Sequence, residues 1–495
     1  MFIIFFLFFC CNCFCFLEIV GHVFVFCYCR FKNIVAGWVN VNSLIVVPFL
    51  TKASSFCKTN GNTFPCLLQN LGHLYQIKLN ELKMWSSSNH EDVDIVIVGA
   101  GLAGLTAALA LHRLGLRSLV LESSESLRIT GFALTLWTNG WRALDAVGIG
   151  NSLRQRSTQM KGFKIASPDT GLFTSETALD KDGKFQGYES RCVRRKDLLE
   201  TLVNELPPGT IRYSSKVATI DEVGRFKLVH LADGSILKTK VLIGCDGVNS
   251  VVAKWLGLGT PVSVGRSAIR GLVEFPNGSG FDPMFHVKFG GGVRFGYLPI
   301  DDKTVYWFCT FTPSQVPSYE EDWPENPIKM KQFVLSRINK MPEEAQGVVE
   351  KTPLDNISCA QLKFRLPWNV LFGNIVKNNV CVAGDALHPM TPDIGQGGCS
   401  SLEDSVVLGR CLGEAFLKKS NEEDDEFERI EKGLDKYRRD RRWRSFGLIS
   451  VAYCVGFIQE SKGKMMSFLR KVWFSSYTAN AFLKMANYDC GDLVL

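Results

Sequence analysis

The chain has 495 residues, of which 46% are apolar, enough for a large core divided between two domains. Its formal net charge of +7 is small for this length, and the basic residues form no patch interleaved with aromatic residues, which argues against a nucleic-acid-binding protein. No His, Cys or carboxylate cluster after residue 83 has metal-ligand spacing, so the sequence implies no metal site.

Residues 1–83 form an apolar leader that holds eight of the 17 cysteines. The run from Met1 to Leu17 is near the lower length limit of a membrane span, and it lacks the basic start of a signal peptide. We expect Met84 to be the natural start and the leader to lie outside the folded domains, with the cytoplasm as the default location. The alternative is a genuine N-terminal anchor, which would make the protein membrane-associated.

A complete βαβ unit begins at about residue 92. Asp94–Val98 is a buried strand, Leu105–Leu116 has a helical apolar pattern, and Arg117–Leu121 is a second strand. Between the first strand and the helix lies the glycine-rich turn Gly99, Ala100, Gly101, Leu102, Ala103 and Gly104. The first glycine permits a tight turn, the second lets the backbone approach a pyrophosphate, and the third brings helix and strand together. Glu122, which ends the second strand, is placed to accept a ribose hydroxyl.

The middle of the chain changes character. Short alternating strands are predicted at Ser267–Phe275, Met284–Phe289, Val293–Leu298 and Thr304–Phe311, with glycine and aspartate turns between them. The α/β pattern resumes at Val380. The sequence therefore predicts an α/β fold, with a discontinuous Rossmann-like domain (92–260 and 355–420) and an inserted antiparallel β-sheet domain (261–354).

The remainder, 421–495, is predicted to form C-terminal helices. The basic run Lys436–Arg444, which includes Tyr437 and Trp443, is interpreted as a solvated helix face. Phe446–Phe457 is too short to cross a bilayer and is expected to be a packed helix.

Two further motifs combine a strand with an acidic turn. One is the strand from Val241 that ends in Asp246 and Gly247, and the other runs from Val380 into Gly384 and Asp385. The second is followed by Gly395, Gln396 and Gly397 at the start of a helical run. A carboxylate at a strand end can bind a sugar-like hydroxyl, and a glycine-rich turn at a helix start presents N–H groups to an anion.

In this order the three motifs, GAGLAG, CDGVNS and GDALHPMTPDIGQGG, resemble the flavoprotein aromatic-hydroxylase (group A monooxygenase) superfamily from residue 92 to about 445. The stretch Leu127–Asp145 looks most like its plant salicylate-hydroxylase-like and zeaxanthin-epoxidase-like branch. The resemblance implies that NAD(P)H, bound transiently, reduces FAD. The flavin C4a-hydroperoxide then hydroxylates or epoxidises a small aromatic or lipophilic substrate. A plastid location is possible by the same analogy.

The resemblance also implies roles for individual residues. The glycine-rich turn and Glu122 would hold the ADP half of FAD, with Arg128 nearby, and Arg195 would lie over the flavin. Asp246 and Gly247 belong to a motif associated with both FAD and the nicotinamide donor. Asp385 would bind the ribityl chain, and the segment Gly395, Gln396 and Gly397 would pass beside the isoalloxazine ring. His388 is expected to be structural.

One departure from the family leaves alternatives open. Members often carry an arginine three residues after the serine of the second motif, where this chain has Ala253. The alternatives are a flavin-dependent reductase of isoprenoid double bonds and a non-catalytic flavoprotein that binds a small aromatic ligand. An aromatic stripe in the inserted sheet could line a substrate site or belong to the core: Phe289, Phe295, Tyr297, Tyr306, Trp307 and Phe308.

Overall fold

The structure is a computed structural model that describes residues 17–19, 22–27, 35–40, 90–128, 131–166, 170–178, 188–290, 292–315, 325–417, 425–460 and 484–493. The chain divides into two units, residues 1–89 and 90–495. The first contains three antiparallel strands, Leu17–Ile19, His22–Cys27 and Val35–Asn40, paired in chain order. The expectations about Met84 and most of the leader's apolar run lie outside the described residues.

The second unit alternates strands and helices in its first part and again near its end. Its strands are β1 (Glu91–Val98), β2 (Leu119–Leu121), β3 (Ala133–Trp137), β4 (Gly162–Ala166), β5 (Phe173–Ala178), β6 (Ser190–Arg194), β7 (Ile211–Arg212), β8 (Val217–Val223), β9 (Phe226–Leu231), β10 (Ile236–Gly244), β11 (Val262–Glu274), β12 (Met284–Gly290), β13 (Val293–Pro299), β14 (Thr304–Phe311), β15 (Ile357–Phe364), β16 (Val376–Lys377) and β17 (Val380–Val382). Its helices are α1 (Leu102–Arg113), α2 (Thr138–Ala146), α3 (Gly150–Arg154), α4 (Arg195–Asn204), α5 (Val251–Trp255), α6 (Pro327–Ile338), α7 (Glu343–Glu350), α8 (Pro367–Phe372), α9 (Gly397–Leu417) and α10 (Glu426–Glu460).

The first sheet has eight strands, paired in the order β7-β2-β1-β10-β9-β8, with β17 also on β10 and β16 on β17. Five strands of this sheet run parallel to one another, in the order β7, β2, β1, β10 and β17. The first half of β10 pairs with β9 and the second half with β17. The buried run Ile95–Val98 in β1 lies at the centre of this sheet, as expected for a parallel strand covered on both faces.

Helix α1 forms from an Ala- and Leu-rich segment that is buried along nearly its whole length. It packs between the first sheet and α9, and residues of all three elements share one hydrophobic core. Small alanine side chains allow this close approach, so the helix is held mainly by its tertiary packing. These elements confirm the predicted Rossmann-like fold class.

The second sheet has seven strands in the order β15-β11-β14-β13-β12-β4-β5. The four predicted strands are present as β11 to β14. Wherever two of them are neighbours in the sheet, they run antiparallel. The sheet also takes in β4 and β5, which precede the predicted insertion, and β15, which follows it. Hydrogen-bond register between distant segments, which no local pattern encodes, places these strands in the sheet.

The two faces of the seven-stranded sheet differ. One face, here the outer face, carries Phe295, Tyr297 and Trp307 and packs against α6 and α7. The opposite face, here the inner face, carries Leu272, Leu298, Tyr306 and Phe308 and packs toward the two-stranded ribbon of β3 and β6. Half of the predicted aromatic stripe therefore belongs to the helix-covered core, because strand residues alternate between faces.

Helix α10 corrects one expectation. Lys436–Arg444 is not a solvated face throughout, since Arg441 and Tyr437 are fully buried. Arg441 donates to the carboxylates of Glu403 (2.7 Å) and Asp404 (2.6 Å) on α9, and the Tyr437 hydroxyl donates to the carbonyl of Val382. Trp443 does remain exposed. Among the described residues, no helix is long and apolar enough to cross a membrane.

We expect Arg441→Met to lower the free energy of unfolding by about 3–5 kcal/mol, because it removes the buried guanidinium that the carboxylates of Glu403 and Asp404 share. Arg439→Met is the matched control. Its side chain is 68% exposed on the same helix, so its effect should stay within about 0.5 kcal/mol. Urea unfolding of both variants beside the parent protein measures the difference.

The pH dependence separates lost charge from lost packing. Burial alone would raise the pKa of Asp404, but His388 and Arg441 outweigh it and hold the pKa below its usual value. A lowered folded-state pKa gives stability that is present above the ordinary carboxyl pKa of about 4 and is lost as the pH falls. The loss of unfolding free energy caused by Arg441→Met should therefore become smaller as the pH falls. A deficit that does not change with pH would contradict the ion-pair explanation.

Candidate functional site

The three sequence motifs meet at one edge of the eight-stranded sheet. They follow the carboxyl ends of β1, β10 and β17, which are parallel neighbours. Backbone bonds join the turns, since the amide of Cys245 donates to Val98 (2.8 Å) and that of Ala383 donates to Gly244 (2.9 Å). In open α/β sheets this edge is where ligands bind.

The glycine-rich turn has different requirements at its three glycines. Gly99 has φ +101°, and a Cβ there would lie 2.5 Å from the carbonyl oxygen of Cys245. A Cβ at Gly104 would overlap the carbonyl of Gly99. At Gly101, by contrast, no atom of the described residues lies within 4 Å of the place that a Cβ would take. Gly99 and Gly104 are thus required for packing, whereas Gly101 faces open space.

Helix α1 starts at this open space. Among the described residues no side chain caps it at Gly101, and its first turn holds no acidic residue. Its first amides and the positive end of its dipole are therefore directed toward the space beside Gly101. An anionic group is what such a helix start accepts.

Glu122 closes this turn from the end of β2. It is buried, and its carboxylate accepts hydrogen bonds from the amides of Ala100 (3.0 Å) and Ser124 (2.9 Å). Carboxylate oxygens have further lone pairs for a hydroxyl donor. Arg128 is exposed on the segment that follows.

Asp246 has local partners. Its carboxylate accepts from the amide of Val251 (2.6 Å) and the hydroxyl of Ser250, and so fixes the start of α5. Burial raises its pKa, and these hydrogen bonds oppose the rise. The following Gly247 has φ +77°, and within the described part of the chain no atom lies within 4 Å of where its Cβ would be. At this motif the open backbone position is therefore Gly247, while Asp246 holds the turn.

The turn after β17 exposes Asp385 while burying its neighbours Gly384 and Ala386. Arg365, 1% exposed, donates to the carbonyls of Ala386 (3.0 Å) and Leu387 (3.1 Å). Burial lowers the pKa of Arg365 to about 10. The buried guanidinium thus fixes the backbone that presents Asp385.

His388 lies in the protein interior. It is fully buried, and its Nε2 lies 2.6 Å from the Asp404 carboxylate. The same Asp404 oxygen accepts from the amide of Gly384 (2.8 Å). Asp404 therefore connects the Gly384 turn to α9.

Arg195 begins α4, where its amide donates to the carbonyl of Phe132. Arg195 is half-buried, and its Nε is buried without a hydrogen-bond partner among the described residues. Burial lowers the pKa of Arg195, and the charge of Asp385 opposes this effect. Unsatisfied buried guanidinium N–H groups are costly, and a bound anion or carbonyl would satisfy them.

The segment 395–397 lies over the β3 end of the site. Gly395 adopts φ +61°, and a Cβ there would lie 3.1 Å from the Trp137 ring nitrogen. Gln396 is fully buried, and its side-chain oxygen accepts from Asn139 (2.8 Å). Its amide nitrogen has no partner among the described residues. The buried side chain of Gln396 thus fixes the segment, while the segment's backbone borders the site.

A dinucleotide with an extended sugar chain fits these features. The open space at Gly101 and the uncapped start of α1 suit a pyrophosphate. Glu122 and Asp385 offer carboxylates to hydroxyls, and the Nε of Arg195 is an unsatisfied donor.

A model of the family described as "FAD binding domain" matches residues 92–445. The chain belongs to this family. It is 52% identical over 407 residues to Monooxygenase 2 of Arabidopsis thaliana, covering 81% of this chain and 98% of the relative. It is 34% identical to Monooxygenase 1 of the same plant, with 81% and 100% covered.

Among solved structures, Klebsiella pneumoniae HpxO complexed with FAD and uric acid has a similar fold, with a TM-score of 0.68 and 21% identity over 80% of this chain and 96% of that one. The chain is thus an FAD-dependent monooxygenase of the group A flavoprotein superfamily, a class in which NAD(P)H and O₂ are the usual co-substrates.

A buried ion cluster joins this site to the seven-stranded sheet. Asp393, two residues before Gly395, pairs with Arg266 of β11 (2.8 Å) and Arg294 of β13 (3.0 Å). Its side chain is fully buried, and the two arginines hold its pKa below the usual value although burial opposes them. The inner face of the sheet is therefore held against the segment 395–397.

Aromatic side chains connect the same two regions. Trp137 stacks on Phe163 of β4 (6.2 Å between ring centroids), which meets Phe285 of β12 edge-on (5.7 Å), and Phe285 lies 6.0 Å from Phe308. Phe163, Phe285 and Phe308 are half-buried. These four residues are called here the aromatic row.

Sequence reasoning included Phe308 but missed Phe163, Phe285 and the arginines of the sheet. Phe163 lies in β4, outside the predicted insertion, so no local signal connected it to the site. Arg294 could have been noticed, because it interrupts an otherwise apolar strand. A charge at such a position is an informative exception to apolar patterning.

We expect Gly101→Ala to fold but to retain much less FAD, because the new methyl occupies the approach to the start of α1. Loss of stability in the cofactor-free protein should be no more than about 1 kcal/mol. Gly104→Ala is the matched comparison, and it should fold poorly, since its methyl overlaps the Gly99 carbonyl. The ratio of flavin to protein absorbance, with thermal unfolding of the cofactor-free proteins, measures both. Full FAD content in Gly101→Ala would refute the phosphate position.

Proposed function

We propose that this monooxygenase acts on a small planar aromatic substrate held against the aromatic row. The observation that carries the proposal is the continuity of that row, from Trp137 beside Gly395 to Phe308 on the inner face. Half-buried rings between the cofactor edge and the sheet offer edge and face contacts to another ring. The relatives named above are called monooxygenases, which agrees with the reaction type.

We propose the following cofactor contacts. The pyrophosphate lies at Gly101 and the start of α1, and Glu122 accepts a ribose hydroxyl with Arg128 at the outer edge. Asp385 accepts from the ribityl chain, Arg195 donates to the flavin side, and the backbone from Gly395 to Gly397 borders the ring system. Gly247 contributes backbone, while Asp246 acts by fixing α5.

When bound, FAD takes up reducing equivalents from NAD(P)H and, with O₂, supplies the oxygen atom that enters the substrate. The chain's own residues orient and enclose the reactants. Asp393 with its two arginines keeps the inner face close to the segment 395–397, and the aromatic row excludes water from the space between them. The first amides of α9, which begins at Gly397, add a positive dipole end beside the ring system.

Oxygen labelling tests the proposed function. The FAD-bound protein, given NADPH and ¹⁸O₂ with a panel of phenols and aromatic acids, should place one ¹⁸O atom in a product for each NADPH oxidised. Turnover without O₂ would instead indicate a reductase. Hydrogen peroxide equal to NADPH for every compound would indicate a non-catalytic flavoprotein.

Phe308→Ala tests the aromatic row within the same assay. Loss of one buried ring contact should raise KM about tenfold and increase the share of peroxide. Phe372→Ala is the control, since that ring is 78% exposed on α8. Equal behaviour of the two variants would place the substrate elsewhere.

A further inference from the structure

Helix α10 turns an apolar face outward in its second half. Its buried face, at the same level of the helix, carries four aliphatic residues, Leu448, Ile449, Ala452 and Val455. Residues three, four and seven positions apart share one side of a helix, so the opposite side also forms a single row. The six residues of this row, exposed or half-buried, are called here the exposed stripe: Trp443, Phe446, Gly447, Ser450, Tyr453 and Phe457.

Helix α8 widens the stripe into a larger surface. The ring of Trp368 on α8 lies 5.7 Å from that of Phe446 and 6.4 Å from that of Phe372, measured between ring centroids. Trp443 meets Phe446 edge-on at 5.7 Å. The aromatic side chains of the two helices therefore form one connected surface, and connected apolar surfaces mark interaction sites more often than single exposed residues do.

The exposed area is comparable with that of a dimer contact. Five rings of this surface are between 42% and 78% exposed: Trp368, Phe372, Trp443, Tyr453 and Phe457. With about 200 Å² for each large aromatic side chain, they leave about 600 Å² of apolar surface in contact with solvent. A specific complex buries about 800 Å² per partner. The surface can therefore supply most of an interface of that size.

The charges near the stripe favour a protein partner over a lipid surface. From Ser445 to Gln459 the chain has no charged residue. Helices that lie on anionic membranes carry Lys and Arg on the face beside their apolar stripe, where these side chains meet the lipid headgroups. Here the nearest arginines have partners within the chain. Arg439 and Arg444 form ion pairs, and Arg442 donates to backbone carbonyls at the end of α8.

The shape of the stripe matches itself. Trp443 and Phe457 are each seven positions from Ser450, one on either side, and Gly447 and Tyr453 are each three positions from it. No atom of the described residues lies within 4 Å of the place that a Cβ of Gly447 would take, so a hollow faces outward there. When a second α10 lies antiparallel across Ser450, each tyrosine meets the other copy's hollow and each tryptophan meets the other copy's Phe457.

We infer that the exposed stripe is the contact surface of a two-fold dimer of this chain, in which two α10 helices run antiparallel about Ser450. A two-fold contact uses one patch twice and so requires a self-complementary surface. Because the segment is uncharged, the second copy brings no like charge opposite the first. Trp368 and Phe372, beside the Phe446 end, then cover the Phe457 end of the other copy. Such a dimer is independent of the substrate class proposed above.

Sedimentation velocity of the full-length, FAD-bound protein tests the dimer. The parent protein should sediment with twice the mass of the chain at micromolar concentration. Gly447→Glu places a charge in the hollow, and the variant should still fold, because glutamate is a better helix former than glycine. Since two such charges meet near the two-fold axis, the substitution should raise the dimer dissociation constant about a hundredfold or more.

Gly347→Glu is the matched control. Gly347 is also a half-buried helical glycine, in α7, and no atom of the described chain lies within 4 Å of its Cβ position. It lies outside the stripe, so this variant should remain dimeric. A monomeric parent, a Gly447→Glu dimer as tight as the parent, or equal weakening in both variants would overturn the inference.

Cross-linking tests the geometry separately. Ser450→Cys places one thiol of each copy at the two-fold axis, so a short bismaleimide should join position 450 of one copy to position 450 of the other. Peptide mass spectrometry distinguishes this product from links through Cys454, which is exposed in the parent protein. A dimer that does not form the link between the two positions 450 would have its contact on another surface, which also overturns the inference.

Two other occupants of the stripe give different results. A monomer that sediments with phosphatidylserine vesicles, and loses this binding in Gly447→Glu, would assign the stripe to a lipid surface. A monomer that binds no vesicles would mean that another part of the same chain covers the stripe. Either result overturns the dimer.

Discussion

The carboxylate of Asp404 is the interaction on which the site depends. It is fully buried, and its oxygens contact Arg441 of α10, His388 and the amide of Gly384. A buried charge without partners would be strongly destabilising, so these partners must be present together. Because Asp404 lies in α9, the helix that begins beside the cofactor site, a single side chain sets the positions of that helix, the Gly384 turn and α10 relative to one another.

A second buried carboxylate, that of Asp393, fixes the position of the substrate side. Asp393 belongs to the 3₁₀ turn that precedes Gly395, and its two arginine partners come from β11 and β13. Gly456 of α10 lies against this cluster, since a Cβ there would overlap Arg266 and Asp393. Helix α10 therefore contacts both ion clusters. Buried charges that require close partners thus link three features: the position of the sheet, the position of the segment 395–397 and the packing of α10.

The sequence predicted the parts of this arrangement that depend on short-range pattern. The βαβ unit around Gly99, the strands of the insertion and the acidic turn at Asp385 follow from periodicity and turn chemistry, which act over a few residues. The burial of Arg441 was not predictable in that way, since it depends on Glu403 and Asp404, 38 and 37 positions away. The run of arginines around it is typical of an exposed helix, and only two of its residues turn inward far enough to be fully buried.

For the same reason, the sequence predicted more of the cofactor side of the site than of its substrate side. Its cofactor side is built from turns whose residues are consecutive, so the motifs contain most of it. Its substrate side is built across strands, where Phe163, Phe285 and Phe308 become neighbours only through the packing of distant strands in one sheet. Trp137 likewise meets Gly395 through tertiary packing, although both belong to segments that the sequence had singled out.

The pairing of β4 with β12 has a consequence for biosynthesis. It is a parallel pair, and Lys164 in β4 meets Asp282, 118 positions later, just before β12. At about 5–20 residues per second, β4 and β5 wait on the order of ten seconds for their partner to be synthesised. During that time one edge of the hairpin has no strand to pair with, and unpaired edges are where chains aggregate. Completion of the substrate side is therefore a late, long-range event that follows synthesis of the first part of the cofactor domain.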